Sequence, residues 1–182
     1  MLVERPGYDA LYADFRWDIP ERFNIGTAVS DAWAARDPDR VCLQHFLPDA
    51  APLSLTYGEL AAKSDAFAAA LRAEGVEKGD RVAILLPQGF ETVIAHLATY
   101  KVGAIALPLA LLFGADALLF RLENAGARAI VTNAFGLERL QPIRTRLPSL
   151  KLVIATEATG DPTAKPFHDL LSRHAGSFDA ID

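Results

Sequence analysis

Four short apolar segments, each separated from the next by a helical segment, place the strongest limit on how this chain can fold. The apolar segments contain no polar alternation and lie at 81–86, 104–107, 128–132 and 152–155. The helical segments between them lie at 90–102, 115–125 and 134–147, and glycine follows the first two directly. Strands that are apolar on both faces and alternate with helices are typical of a parallel sheet. We therefore predict an α/β fold, with a mostly parallel sheet, helices on both of its faces and right-handed crossovers.

The residues before this alternation predict an amino-terminal arm, a helix and a β-hairpin. Residues 1–23 contain aromatic side chains without a steady period, and we expect them to form an arm that lies against the body of the protein. These aromatic residues are Tyr8, Tyr12, Phe15, Trp17 and Phe23. We predict a boundary after this arm, with the α/β domain occupying residues 24–182.

A helix is predicted to begin at Asn24, whose side chain suits the N-cap position. The apolar face of this helix is predicted to contain Ile25, Val29, Ala32 and Trp33, and Pro38 is predicted to end it. Segments 41–47 and 53–55 then have the composition of two strands, joined by a turn over 48–52.

The clearest start of a helix lies at Thr56. Thr56 and Glu59 have the spacing of a capping box, in which each side chain accepts a hydrogen bond from the other residue's amide. The buried face is predicted to contain Leu60, Ser64, Phe67, Ala68 and Leu71, and Gly75 to end the helix. Thr56 and Glu59 also suit a catalytic pair, but capping is the better explanation.

Composition and charge exclude several classes of partner. The net charge of −5 and the absence of a basic cluster argue against binding to nucleic acid or to an anionic membrane. Cys42 is the only cysteine, so we expect a reducing environment. The first residues do not have the pattern of a signal peptide. The apolar stretch 102–113 is too short to span a bilayer, and we expect a cytoplasmic protein.

The common catalytic and cofactor-binding motifs do not occur in this sequence, and we predict no catalytic, cofactor-binding or metal-binding residue in it. The sequence lacks the Gly-rich dinucleotide fingerprint, the P-loop and the nucleophile elbow. Segment 156–162 is predicted to be an ordinary surface loop. Cys42 is predicted to be a buried, inert thiol. The four histidines (His45, His96, His168 and His174) share no metal-ligand spacing.

One apolar loop is the candidate substrate-binding segment. Residues 107–114 follow a predicted strand and remain apolar where a loop is expected to be polar. Because ligands bind at the carboxyl ends of strands in open parallel sheets, this loop suits a pocket for an acyl chain or an aromatic ring. We assign Leu112, Phe113 and Gly114 as candidate substrate-binding residues. Packing beneath a neighbouring segment is the favoured alternative.

Four motifs, taken in order, resemble the start of the AMP-forming acyl-CoA synthetases of the acetyl- and medium-chain type. The motifs are Phe23-Asn24-Ile25-Gly26 with 33–41, Leu55-Thr56-Tyr57-Gly58-Glu59-Leu60, Gly75-Val76-Glu77-Lys78-Gly79-Asp80-Arg81-Val82-Ala83, and Tyr100-Lys101-Val102-Gly103-Ala104 with 111–118 and 120–122. Together they extend over nearly the whole chain from Phe23.

The resemblance implies a ligase that joins a carboxylic acid to CoA, with ATP, Mg²⁺ and CoA required by the full-length enzyme. In that family, a Ser/Thr/Gly-rich loop with a lysine binds the ATP phosphates, and this sequence lacks it. We therefore expect an amino-terminal fragment that is inactive alone and that binds no cofactor. The fragment's uncovered apolar surface, particularly the loop 109–113, is expected to favour self-association. The alternatives are a non-catalytic ligand-binding or regulatory module, and an unrelated α/β domain.

Overall fold

The computed structural model describes residues 3–46, 48 and 50–181, which form eight α-helices, one 3₁₀ helix and seven strands. The helices are α1 Tyr8–Asp14, α2 Ile25–Val29, α3 Asp31–Ala34, α4 Tyr57–Ala73, α5 Phe90–Lys101, α6 Ala115–Ala125, α7 Ala134–Leu140 and α8 Phe167–Arg173, and the 3₁₀ helix is Gln141–Arg146. The strands are β1 Val41–His45, β2 Leu53–Thr56, β3 Arg81–Leu85, β4 Ile105–Pro108, β5 Ala129–Thr132, β6 Leu152–Ala155 and β7 Ala164–Pro166. No helix among these residues is both long and apolar enough to cross a bilayer.

The main sheet has five parallel strands in the order β4-β3-β5-β6-β7. The α/β prediction is confirmed, and the four predicted strands are present to within one residue at each end. The fifth strand, β7, was not predicted, because its three residues include a proline and are too few to show a pattern. Ile105 N donates to Asp80 O, so the amide of Ile105 faces the neighbouring strand β3. Because backbone amides alternate in direction along a strand, position 108 of the edge strand β4 faces the open edge of the sheet. Proline at this position has no N–H group to expose there.

Two apolar layers cover the sheet, as the uninterrupted apolar strands predict. One layer packs α4, α5 and α8 against one face, with Val82, Val131 and Ile154 contributed by the strands. The other packs α6, α7 and the 3₁₀ helix against the opposite face, where the strands contribute Ala83 and Ile130. Neighbouring residues of one strand therefore enter different layers.

The helix predicted from Asn24 is wrong in two respects. The structure contains two short helices, α2 and α3, which meet at Ser30, whose hydroxyl donates to Gly26 O at 2.7 Å. The buried residues are Gly26 and Ser30, whereas Ile25 and Val29 are about half exposed. A close approach to α5 explains this arrangement, because a Cβ at Gly26 would lie 2.9 Å from Leu97 O. The predicted N-cap is confirmed, since the Asn24 side chain accepts from Thr27 N.

The arm does not lie against the body of the protein, and that prediction is wrong for its described residues, 3–23. The arm contains the short helix α1, in which no residue is buried. Trp17 is 80% exposed, and Tyr8 and Tyr12 are 74% and 73% exposed. The aromatic side chains instead contact one another within the arm, as Tyr8 does with Tyr12 and Phe15 does with Trp17.

The hairpin and the capping box agree with the sequence prediction. Strands β1 and β2 pair antiparallel, while Leu47 and Asp49 of the predicted hairpin lie outside the described residues. Thr56 and Glu59 form both hydrogen bonds of the box, at 3.2 and 2.8 Å. All five residues of the predicted face of α4 are buried. Tertiary packing and local capping therefore favour the same helix.

Candidate functional site

A crevice at the carboxyl ends of β3 and β5 is the candidate site. These strands are neighbours, but the helix after β3 packs in one apolar layer and the helix after β5 packs in the other. The chain therefore leaves the two strand ends toward opposite faces of the sheet, which opens a gap between them. Such a switch point is where doubly wound sheets bind their ligands. A cavity of about 180 Å³ lies here.

Three strand-end segments line this cavity. They are the turn 86–89 after β3, Asn133 after β5, and Thr156 and Glu157 after β6, and His45 from the hairpin closes one side. Hydrogen bonds hold the segments in place. Thr132 Oγ1 donates to Leu85 O at 3.0 Å and so ties the ends of β3 and β5 together. Asn133 accepts from Gly136 N at 2.9 Å and thereby caps α7.

Ionisable side chains lie at the mouth of the crevice. The Glu91 carboxylate lies 3.8 Å from His168 Nε2. His45 lies edge-on to the Phe90 ring, with ring centroids 5.9 Å apart. The amide and hydroxyl groups of Gln88, Asn133 and Thr156 add hydrogen-bonding capacity. The arrangement can bind and orient a small polar molecule, and it contains no Ser or Cys nucleophile beside a base.

A second cavity of about 470 Å³ lies beside the first, between α7 and the loop 158–161. The predicted surface loop contributes a wall of this cavity together with Glu138 and Gln141. Asp161 stabilises the loop's geometry, because its carboxylate accepts two hydrogen bonds from Thr163. Those bonds are the main reason that the pKa of Asp161 is lowered, and the nearby Arg144 guanidinium lowers it further.

The predicted substrate-binding residues lie in the loop between β4 and α6, and their surroundings differ. Leu112 is 90% exposed, while Leu109 is buried in the layer beneath the loop. Phe113 is held in place, since the Arg121 guanidinium lies 4.0 Å from its ring centroid and Arg139 donates to its carbonyl at 2.9 Å. Gly114 is the N-cap residue of α6. Packing, the favoured alternative, therefore accounts for Leu109 and Phe113 but not for Leu112.

The histidines and Cys42 form no metal centre among the described residues. Cys42 is partly buried and donates to Leu55 O at 3.2 Å, and burial raises the pKa of its thiol. His96 lies on α5, where burial lowers its pKa. Gln88, Asn133 and Thr156, which line the crevice, were not predicted as site residues from the sequence. Their position just after predicted strands was the available signal.

Comparisons with known proteins agree with this architecture. A model of the AMP-binding enzyme family matches residues 30–176. The acetyl-coenzyme A synthetase of Novosphingobium aromaticivorans is 32% identical over 161 residues, which cover 81% of this chain and 25% of that protein. Acetyl-coenzyme A synthetase 2 of Saccharomyces cerevisiae is 34% identical over 120 residues, which cover 65% of this chain and 18% of that protein. The chain thus spans at most about a quarter of the length of these relatives.

Solved structures show the same fold. The acetoacetyl-CoA synthetase from Streptomyces lividans superposes with a TM-score of 0.74 at 27% identity, over 81% of this chain and 25% of that one. An anthranilate CoA ligase superposes with a TM-score of 0.78 over 90% of this chain and 30% of that one, and at 22% identity it supports the fold alone. The resemblance found in the sequence motifs is confirmed, and the chain belongs to the AMP-binding enzyme family.

Proposed function

We propose that this chain forms the amino-terminal sheet region of an AMP-forming acid–CoA ligase. Such an enzyme converts a carboxylic acid, ATP and CoA into an acyl-CoA, AMP and pyrophosphate. Family membership supports this assignment, since the family model matches most of the chain. The structural observation that carries it is the crevice between the carboxyl ends of β3 and β5, the position where sheets of this type bind ligands.

The described residues suit binding and positioning rather than the chemical steps. Stabilising charge on a transferring phosphoryl group requires preorganised cationic groups or a metal ion near the reacting atoms. Among the described residues, those that line the crevice include Glu91 and Glu157 but no lysine or arginine. No cluster of three or more His, Cys, Asp or Glu side chains in the described ranges suits a metal ion, so we assign no Mg²⁺ ligand within them. We therefore propose that this chain alone does not activate an acid.

Leu112, Phe113 and Gly114 are proposed to form an apolar wall for the acid. The two arginine contacts fix Phe113, so the loop presents Leu112 from a rigid base. Anchoring the loop at Phe113 lowers the backbone conformational entropy that the loop would lose when a ligand binds. At 90% exposure, nearly all of the Leu112 side chain is free to contact a ligand.

Two assays test this function. The first is exchange of labelled pyrophosphate into ATP with acetate, a medium-chain acid and an aromatic acid, for which we expect no signal above the no-protein control. The second is amide chemical-shift mapping with the same acids, AMP and CoA. We expect shifts at Gly89, Asn133 and the loop 109–114, and none at Gly79 or Gly103, which lie at the opposite end of the sheet.

A matched pair of variants separates binding at the loop from a general surface effect. Leu112→Asp is expected to weaken the acid-induced shifts at least tenfold, whereas Phe120→Asp, on the exposed side of α6, is expected to leave them unchanged. Shifts confined to another face would contradict the proposed site. Exchange above background would contradict the proposal that the chain alone is inactive.

The alternative function is a non-catalytic module that binds a small ligand. The polar lining of the crevice is compatible with it, because the side chains of Gln88, Asn133 and Thr156 can form hydrogen bonds with a small polar molecule of any class. Tight binding of a ligand that is not an acid, AMP or CoA would support this alternative. For either function we expect a small-molecule partner and a cytoplasmic setting.

A further inference from the structure

A short helix, α7, has contacts with both the crevice and the loop 109–114. It begins directly after Asn133, which lines the crevice. Its last turn contains Arg139, whose Nη1 donates to the carbonyl of Phe113 in the loop at 2.9 Å. The helix has seven residues, so the backbones of Asn133 and Arg139 are separated by only about 9 Å along its axis. A displacement at one end must therefore reach the other unless the helix unwinds.

Two side chains that line the crevice hold the N-terminal end of α7. Asn133 Oδ1 accepts from Gly136 N at 2.9 Å, and Glu157 Oε2 accepts from Ala134 N at 3.3 Å. Both oxygens satisfy amides of the first turn, which have no partner within the helix. A molecule in the crevice that contacts Asn133 or Glu157 therefore contacts the cap of α7 as well.

Packing against the sheet makes α7 a rigid unit. A Cβ at Gly136 would collide with the Thr132 hydroxyl and would lie 2.9 Å from a methyl carbon of Leu85. Leu137 and Leu140 are buried in the apolar layer on this face of the sheet. Because one side of the helix is packed so closely, bending it within its length would open a gap in that layer. We therefore expect α7 to move, or to stay fixed, as a whole.

Two guanidinium groups hold the loop at the other end of α7. Arg139 donates to Phe113 O and also lies 4.2 Å from the centroid of the Phe135 ring on its own helix. Arg121 of α6 lies 4.0 Å from the centroid of the Phe113 ring. Stacking on an aromatic ring restricts each arginine side chain. Phe113 is thus fixed through both its backbone and its ring, and the position of Leu112, its neighbour in the chain, depends on it.

We propose that α7 couples the crevice to the loop 109–114, with Arg139 as the positioning residue that carries the coupling. A ligand that stabilises Asn133 and Glu157 in their capping positions stabilises α7. Arg139 then holds the Phe113 carbonyl for a larger fraction of the time, and the loop is more ordered.

This coupling gives the two sites a defined order of assembly. A loop that is already ordered loses less conformational entropy when an acid binds to it. Because coupling between two sites is reciprocal, an acid at the loop strengthens binding in the crevice by the same factor. The roles given to the crevice and the loop rest on the proposed function, whereas the link through α7 can be tested without any ligand.

Amide hydrogen exchange in the ligand-free protein tests the link. Phe113 N donates to Ala110 O at 3.0 Å, so the exchange rate of this amide reports opening of the loop. Arg139→Met keeps an unbranched side chain but removes the guanidinium, and it is expected to raise that rate about tenfold. Asn133→Ala removes the cap at the far end of α7, and it is expected to raise the same rate about threefold.

Combining the two substitutions separates coupling from two independent structural effects. If the cap acts on the loop through Arg139, Asn133→Ala adds nothing to the exchange rate of the Phe113 amide once Arg139→Met is present. Independent effects would instead multiply. Arg139→Lys keeps a cationic donor but loses the planar guanidinium, and it is expected to return the rate to within about threefold of the wild type.

Thr56→Ala and Arg146→Met are the matched controls. Thr56→Ala removes the N-cap of α4, which packs on the other face of the sheet. Arg146→Met removes an exposed arginine at the end of the 3₁₀ helix. Neither is expected to change the exchange rate of the Phe113 amide by more than about twofold. The reference amide is Arg128 N, which donates to Arg81 O at the opposite end of the sheet.

The coupling predicts faster exchange at Phe113 in both single variants, no further rise in the double variant and no change at Arg128. An unchanged rate at Phe113 in Asn133→Ala, a multiplicative effect in the double variant, or an equal rise at Arg128 would each overturn it. Glu157→Ala removes the second capping contact at an exposed residue, so it decides the question even if Asn133→Ala unfolds the domain. Ligand-induced shifts test the proposed function separately, since all of these rates are measured without ligand.

Discussion

Lys101 offers the sharpest test of how the helices of this domain are held together. Its side chain is 0% exposed at the end of α5, and its ammonium lies 2.8 Å from Asp31 Oδ1 and 2.7 Å from Asp65 Oδ1. One buried cation thus joins α3, α4 and α5. The two carboxylates are only partly buried, with side chains 29% and 15% exposed.

Lys101→Met keeps the length and the apolar stem of the side chain but removes its charge. The change leaves two carboxylates facing one another without a cation. Breaking a buried ion pair costs 3–5 kcal/mol, and the partial exposure of both aspartates puts the expected loss at the lower end, about 3 kcal/mol. In a domain of this size, that corresponds to a fall in Tm of about 9 °C.

Urea and thermal unfolding measure this loss. Lys63→Met is the matched control, because Lys63 is an exposed lysine on α4 that forms no ion pair with a described residue. This variant is expected to change the free energy of unfolding by less than about 0.5 kcal/mol. Adding Asp31→Asn and Asp65→Asn to Lys101→Met should recover much of the loss, since the unpaired charges are removed. A loss below about 1 kcal/mol for Lys101→Met, or a further loss in the triple variant, would refute this reasoning.

Three further predictions concern local structure. Thr56→Ala removes the hydroxyl of the capping box and is expected to cost about 1 kcal/mol in urea unfolding, while Ser54→Ala on the same strand should cost almost nothing. Gly136→Ala places a Cβ 2.9 Å from a leucine methyl of β3 and against the threonine hydroxyl that ends β5. The free energy of unfolding is therefore expected to fall by about 2 kcal/mol. Gly114→Ala is the control and should be tolerated, because a Cβ at that position would have no atom within 4 Å. Because burial lowers the pKa of His96, the unfolded chain binds a proton there first as the pH falls below 6.5. Wild-type stability should therefore decrease below that pH relative to His96→Gln, and parallel pH profiles for the two proteins would contradict this.

The apolar strands and the helix signals predicted the architecture closely because they reflect local physical chemistry. The helix over 115–125 and the strand over 152–155 have the predicted bounds. A strand that is apolar on both faces must be covered on both faces, and a capping box satisfies amides only at a helix start. These requirements are set by residues close together in the chain. Strand β7 escaped prediction because its three residues form a strand only through pairing with β6.

The described tail after α8, residues 174–181, forms no helix or strand, and contacts with distant residues determine its position. Phe178 packs against the larger apolar layer, and Ile181 N donates to Lys101 O at 2.8 Å. Nothing in the tail's own sequence indicates these contacts, since both partners are distant in the chain. A segment without internal hydrogen bonds is placed by the surface that it meets.

For this protein, the sequence by itself determined the α/β class, the capping of α4 and the family, because each depends on short-range patterns or on ordered motifs. Only the tertiary structure decided which way the apolar side chains of α2 and α3 point, that the arm is exposed, and where the crevice opens. The first depends on Gly26, which allows α2 to approach α5 so closely that its small residues, rather than its large ones, face the domain. The crevice depends on strand order, because β3 and β5 become neighbours only when the chain crosses over between β4 and β5.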